Sequence, residues 1–420
     1  MSKLKKTSYI IGWLICIIGA VFYWYEYLLR IVPSVMVNEL MGMFNITASG
    51  FGMLTALYYY AYTPMQLTAG VLIDRFGTRI MIGIAIISCV LGSFLFGLTS
   101  NIFIAGIARF MIGFGSSFAF VGVLALAAEW LPKEHFAIFI GISTSLGMLA
   151  GMTGDIVLTS LMHTIGWKNI LILATIIGAI LIPLIFIFVH DTPNAKHSTR
   201  LDLTFRETFS GLKQIIKNPQ MWTCGIIANT LFLSLSAFAE LWGIKFLQTV
   251  YNIEKTQASY ASAAVFLGWL VAGPFVGWFS DRIKSRKKPL LIGGIFSAVC
   301  ITLVILKPFE ISFTMLCVLL FLYGCFSSAE IVTFAIAKEI NGSQFTATAL
   351  AFNNFLIMLG GMVFQPLIGV LLDLSWDGKV IDGVRIYSGS DYQMVFLLIP
   401  IALVVGILMN FKLKESLQKA

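Results

Sequence analysis

Apolar residues in this chain neither alternate nor form a single helical stripe. They run in long blocks separated by short polar connections. Twelve blocks lie at roughly 9–32, 50–73, 80–98, 101–127, 136–160, 168–190, 220–247, 258–279, 289–306, 312–336, 344–371 and 393–412, each close to the ~20 apolar residues a helix needs to cross a bilayer. The strands of a transmembrane barrel would be about half as long, with alternating polarity. Lipid offers no partner to an open backbone N–H or C=O, so spans of this length are helical. The pattern predicts an all-α membrane protein of twelve spans.

Composition supports that expectation. Hydrophobic residues make up 58% of the 420, charged residues only 11%, and mean hydropathy is +0.91. That leaves too few polar groups to clothe a soluble fold. Of the 28 lysines and arginines, 20 fall on the side shared by the N-terminus, including Lys3, Lys5, Lys6, Arg75, Arg79 and the cluster from Arg282 to Lys288. The positive-inside rule then puts both termini in the cytoplasm, and the +8 formal charge reflects topology rather than nucleic-acid binding. The first block runs on to Pro33 with no small-residue cleavage site, so it is expected to be a retained helix. The six cysteines sit in apolar stretches and the four histidines lack ligand spacing; neither metal nor cofactor is expected. Gly113 and Gly115 lie inside a span with no preceding strand, and no Walker pattern occurs, so neither nucleotide chemistry nor an enzyme is expected.

The longest connection, 191–219, is polar and carries Lys196, Arg200, Arg206, Lys213 and Lys217. Leu201, Phe205, Phe209, Leu212 and Ile216 have weak helical spacing, which suits either a short interfacial helix or a plain linker. On either side of it the chain repeats itself. Gly70, Asp74 and Arg75 after the second block return as Gly277, Asp281 and Arg282, offset by 207; Lys133-Glu134 returns as Lys338-Glu339, offset by 205. Two six-helix halves are expected, 1–190 and 220–420, in the same membrane orientation.

Gly70, Leu72, Asp74, Arg75, Gly77 and Arg79 resemble the signature between the second and third helices of the major facilitator superfamily, and Gly277, Asp281 and Arg282 resemble its degenerate copy. Lys284 stands where that copy usually has glycine, and Thr78 where the first copy often has a basic residue. Arg109, Gly113 and Gly115 resemble the family's fourth-helix motif. The resemblance spans the chain. It implies two six-helix bundles in a bacterial cytoplasmic membrane, with helices one, four, seven and ten lining a central cavity. It also implies gating or structural roles for Asp74, Arg75, Arg79, Arg109, Asp281 and Arg282. Tyr25 through Met36 resembles the first-helix signature of the proteobacterial intraphagosomal amino-acid transporter group. Glu240–Gly243, Phe352–Asn354 and Gln365–Gly369 also resemble its relatives.

Ionisable groups inside hydrocarbon cost about 2.5–3.5 kcal/mol on insertion scales, so each needs a cavity or a partner. Glu26 and Arg30, four apart, share a helix face and form either a solute site or a self-compensating pair near the interface. Glu240 and Lys245 lie five apart, about 140° around the helix, and need not share one. Glu330 is a third candidate proton acceptor, Asp155 either faces a cavity from the outer half of its helix or lies near the span boundary, and Arg30, Glu26, Glu240, Tyr58, Tyr62, Asn353 and Asn354 are candidate substrate ligands. Each of these is equally able to bind a neighbouring helix.

These features predict a secondary transporter working as a monomer by alternating access. It would carry a small solute, an amino acid on the family likeness, with protons taken up by Glu26, Glu240 or Glu330. The rival expectation is an organic-anion or sugar-phosphate transporter using Arg30 and Lys245 as paired cations.

Overall fold

The computed structural model describes residues 3–190, 205–341, 345–381 and 383–417. Eleven helices are long and apolar enough to cross a membrane, and a bent pair, Val37–Phe44 with Ala48–Met65, supplies the twelfth. In chain order, helix 1 is Lys3–Ile31. Helix 2 is Ala48–Met65, continued after a turn by Ala69–Phe76. Helix 3 is Thr78–Leu98, helix 4 Ile102–Trp130, helix 5 Ile138–Met162 and helix 6 Thr164–Phe188. Helix 7 is Pro219–Tyr251, helix 8 Lys255–Arg282, helix 9 Lys287–Leu306, helix 10 Phe313–Glu339, helix 11 Thr346–Ser375 and helix 12 Gly389–Lys412.

Local chemistry sets the boundaries. Asn101 Oδ1 accepts from the backbone N–H of Phe103 at 2.8 Å, Asn218 Oδ1 from Gln220 at 3.0 Å just beside Pro219, and Ser388 with Asp391 closes a capping box. Gly166, at φ 74°, kinks the chain in the first turn of helix 6, a conformation that costs glycine nothing. Two stretches widen into π-geometry: Gly154–Leu158 in helix 5 and Ser234–Trp242 in helix 7. Such turns release backbone carbonyls from the regular ladder and occur often at functional sites.

The predicted connection at 191–219 lies outside the described residues up to 204. Its end forms a helix, Phe205–Ile216, whose Leu212 and Ile215 pack with Met221, Ala349 and Phe352 of the second half. The predicted start of the eleventh block, at 344, likewise lies outside the described residues; the described helix begins at Thr346. Between helices 11 and 12 sits an unanticipated two-residue antiparallel pairing, Val380 with Arg385 and Ile381 with Val384.

Helices 1–6 and 7–12 form the two bundles, joined along helix 2 against helix 11 and helix 5 against helix 8. At the face away from the chain ends, polar groups sew this seam. Lys255 Nζ lies 3.1 Å from Glu39, and Asp373 accepts from Thr47 Oγ1 at 2.6 Å, the Ser49 N–H at 2.9 Å and Tyr387 OH at 2.6 Å. Arg385 lies 3.4 Å from the same carboxylate.

At the terminal face the second half holds a charge network of its own. Arg286 bridges Asp281 and Glu339, at 2.5 and 2.7 Å. Glu415 accepts from Ser285 Oγ at 2.6 Å and from the Arg286 N–H at 2.7 Å. Burial alone would raise the Glu415 carboxyl, but hydrogen bonds from Ser285 and from the Arg286 and Lys287 N–H groups outweigh it and hold the group below its ordinary range. A carboxyl depressed by folding stabilises the fold above its unfolded titration range and loses that contribution as pH falls through the folded one. Lowering the pH from about 5 toward 3 is therefore expected to reduce the thermal midpoint of detergent-solubilised protein, and Glu415→Gln to flatten part of that slope; unfolding scans across pH check both.

Candidate functional site

Four charges meet among the spans, and all are buried. Glu26 is fully inaccessible, Glu240 1% exposed, Arg109 2% and Arg30 4%. Helix 1 supplies Glu26 and Arg30, whose spacing brings Arg30 Nη2 to 3.4 Å from Glu26 Oε1. Helix 7 supplies Glu240 from inside its π-turn, and Arg30 Nη1 lies 3.7 Å from its Oε1. Arg30 is therefore shared between a carboxylate of its own half and one of the other.

Tyrosines complete the enclosure. Arg30 Nε donates to Tyr58 OH at 2.9 Å, and Tyr58 OH donates to Glu26 Oε2 at 3.1 Å. Tyr27 OH donates to Glu240 Oε1 at 2.9 Å, and Tyr59 OH to Glu240 Oε2. The guanidinium of Arg30 sits 4.5 Å from the ring centre of Tyr27, 5.0 Å from Tyr62 and 5.4 Å from Tyr58. Aromatic faces stabilise a cation and leave its N–H edge free to grip an anion. Arg109 lies 5.2 Å from the Tyr58 ring centre and donates from Nη1 to the Leu29 carbonyl at 3.0 Å; its Nε has no hydrogen-bond partner.

Close helix packing holds this arrangement. A methyl group on Gly113 would collide with the Tyr58 backbone carbonyl, so helix 4 rests on helix 2 and brings Arg109 beside Tyr58. Across the seam, a methyl on Gly361 of helix 11 would strike the Tyr59 ring.

The structure distributes the sequence-predicted residues unevenly. Arg30, Glu26, Tyr58, Tyr62 and Glu240 come together, with Arg109 behind them. Lys245 does not join them; it lines a separate cavity of 110 Å³ with Ser34, Glu39, Gln248 and Lys255. Asn353 Nδ2 donates to Thr333 Oγ1 at 3.1 Å, and Asn354 Nδ2 crosses the seam to Gln66 Oε1 at 2.8 Å. Glu330 is buried in helix 10 with Oε1 unpartnered, and it makes no contact with the Arg30 cluster. Asp74 and Arg75 are exposed at the end of helix 2, and Arg79 donates to the Phe186 carbonyl at 2.5 Å. In the second half Asp281 pairs with Arg286, while Arg282 stacks 5.2 Å from Trp278. Tyr27 and Tyr59 are the omissions from the predicted set. Tyr23, Tyr27 and Arg30 follow helical spacing, as do Tyr59 and Tyr62, which was the available signal. Among the described residues, no group of three or more His, Cys, Asp or Glu side chains is placed to hold a metal ion.

Twelve helices in two bundles around a buried charge cluster define a membrane transporter. The chain matches the Major Facilitator Superfamily over residues 15–251 and 228–419, and it belongs to that family. This makes it a multi-pass transport protein of small solutes rather than an enzyme. It is 22% identical over 393 residues to a probable sulfoacetate transporter of Cupriavidus necator, covering 89% of each chain. It is 24% identical over 379 residues to the hexuronate transporter of Escherichia coli, covering 83% of this chain and 84% of the other. Its fold matches that of a bacterial homologue of the human lysosomal transporter Spinster, solved inward-facing and unoccupied, with a TM-score of 0.79 and 13% identity over 96% of this chain and 97% of the other.

Gly113→Leu is expected to push helix 4 off helix 2, costing about 1–3 kcal/mol and lowering the thermal midpoint. Gly70→Ala, where no atom lies within 4 Å of the added carbon, is expected not to lower it; thermal unfolding of both variants in detergent checks the contrast.

Proposed function

We propose that this chain imports a small organic anion by alternating access, with Arg30 as the anion-binding cation and a proton as the coupling ion. The observation that carries the reading is the position of Arg30: a buried guanidinium, ringed by tyrosines, held between Glu26 of one half and Glu240 of the other. The names of the relatives point the same way, since sulfoacetate and hexuronates are both anions. They favour an anion over the amino acid implied by the first-helix likeness. The second cation near Arg30 is Arg109 rather than Lys245, as both guanidinium groups lie within 5.4 Å of the Tyr58 ring centre.

Charge balance supplies the coupling. Two ionised glutamates match two arginines, so the closed cluster is neutral. A monoanion entering it adds one uncompensated charge in a region of low dielectric, where an unpaired ion costs several kcal/mol. A proton on Glu240 cancels that charge and weakens its hold on Arg30, leaving the guanidinium to the substrate carboxylate or sulfonate. The bridge between the halves is then replaced by one through the substrate, and the halves rock with it. Release of substrate and proton restores the Arg30–Glu240 contact. Both termini lie in the cytoplasm in this scheme, and one chain suffices because it supplies both halves.

In proteoliposomes, uptake is expected for hexuronates or short sulfonates and not for neutral sugars or zwitterionic amino acids. Arg30→Ala is expected to weaken anion affinity by about 30-fold or more, the cost of truncating one member of a buried charge pair; amino-acid uptake that survives Arg30→Ala sinks the anion reading. Glu240→Gln is expected to keep anion counterflow but lose accumulation driven by a pH gradient. Accumulation that persists in both Glu26→Gln and Glu240→Gln moves the proton site elsewhere, Glu330 being the next buried carboxyl.

A further inference from the structure

A second buried carboxylate lies apart from the Arg30 cluster, on the side facing away from the chain ends. Asp155 is fully inaccessible and sits within the π-turn Gly154–Leu158 of helix 5. Its Oδ1 accepts one long hydrogen bond, 3.4 Å from Ser34 Oγ, and its Oδ2 has no partner. Thr159, four residues on and so on the same side of helix 5, is also fully inaccessible, with its hydroxyl unpartnered. From the other half, Ser262 of helix 8 brings its hydroxyl toward Asp155 without completing a hydrogen bond, and it too is fully buried. No lysine, arginine or histidine forms an ion pair with Asp155 among the described residues.

Asp155 Oδ2, Ser262 Oγ and Thr159 Oγ1 are each buried and unsatisfied, which is costly, because each has given up water and gained nothing. Together with Ser34 Oγ they form a set of hard oxygen ligands carrying one negative charge, beside a π-turn that frees backbone carbonyls. A divalent ion would leave such a site with a net positive charge, and transition metals favour nitrogen or sulfur. We propose that Asp155, Ser34, Thr159 and Ser262 form a binding site for a small monovalent cation, with sodium as its natural probe.

Access is built in. Ser34 also lines the 110 Å³ cavity that opens among Asn38, Glu39, Gln248, Lys245 and Lys255. The two lysines belong to the second half, whereas Glu39, Ser34, Asp155 and Thr159 belong to the first. When the halves part at this face, the cation therefore meets a surface carrying two carboxylates and no lysine of this cavity. Closure adds Ser262 as the last ligand. The bound cation neutralises Asp155, which removes the penalty of burying that charge in the seam between helices 5 and 8, and so favours the arrangement closed on this face.

The test is cation binding by the purified full chain, without any organic anion, so that its outcome is independent of the proposed substrate. Isothermal titration of sodium chloride into protein held in choline chloride at pH 7.5 is expected to show one saturable site. Asp155→Asn is expected to weaken it at least about tenfold, and Ser262→Ala, which leaves the charge in place, to weaken it less. Thermal midpoints in sodium against choline should follow the same order. Absence of sodium binding in the wild-type protein overturns the proposal, as does binding unchanged in both variants. Stabilisation by acid alone, indifferent to sodium, also overturns it, because Asp155 is then a protonated acid.

Discussion

The structure is organised around the need to compensate Arg30 without water. A guanidinium 4% exposed between the two bundles requires carboxylates on more than one side, and it draws them from both. Glu26 comes with it on helix 1, so that pair is indifferent to how the halves are arranged. Glu240 comes from helix 7 and is held only while the bundles are together. Of the two pairs, the second ties electrostatics to conformation, and Tyr27 and Tyr59 reinforce it by donating to the same carboxylate. A buried pair of this kind contributes little net stability, yet breaking it unevenly costs about 3–5 kcal/mol. It therefore works as a selector between states rather than as glue.

Around this centre the seam differs along its length. Toward the face away from the termini, Asp373 gathers Thr47, Ser49 and Tyr387, and Lys255 meets Glu39. Closer to the terminal face, Asn354 with Gln66 is the polar bridge between helices 11 and 2. The Arg286 network with Asp281, Glu339 and Glu415 lies wholly within the second half and braces that bundle rather than the seam. Bundles packed face to face along helices 2, 5, 8 and 11 are suited to rocking as units.

Much of the architecture was legible because lipid simplifies the rules. Blocks of apolar residues place the spans. The spacing of Glu26 and Arg30 already put them on one side of helix 1. Glu240 was readable as a buried charge of the site, but its direct contact with Arg30 was not, since that depends on how two bundles meet and not on any local pattern. The tyrosine run at 58–60 was ambiguous for the same reason: Tyr58 and Tyr59 are buried in the cluster, while Tyr60 is only half-buried. Asn353 and Asn354 read as a pair, but adjacent helical residues diverge by about 100°, and they turn to Thr333 and Gln66 respectively. The π-turns left no trace in composition, because they arise from one residue too many between two packing contacts.

Glu240 sits inside the widened turn Ser234–Trp242 rather than in regular helix. A stretch wound with an extra residue need not melt in order to move. Passing the surplus residue along the axis swivels the side chains it sweeps over by about 100°, with most backbone bonds kept throughout. Helix 7 thus contains its own crank. A carboxylate mounted there is able to swing out of register with Arg30 while the span stays whole, and the barrier to parting the two becomes that of a local rewinding rather than of a helix breaking in lipid.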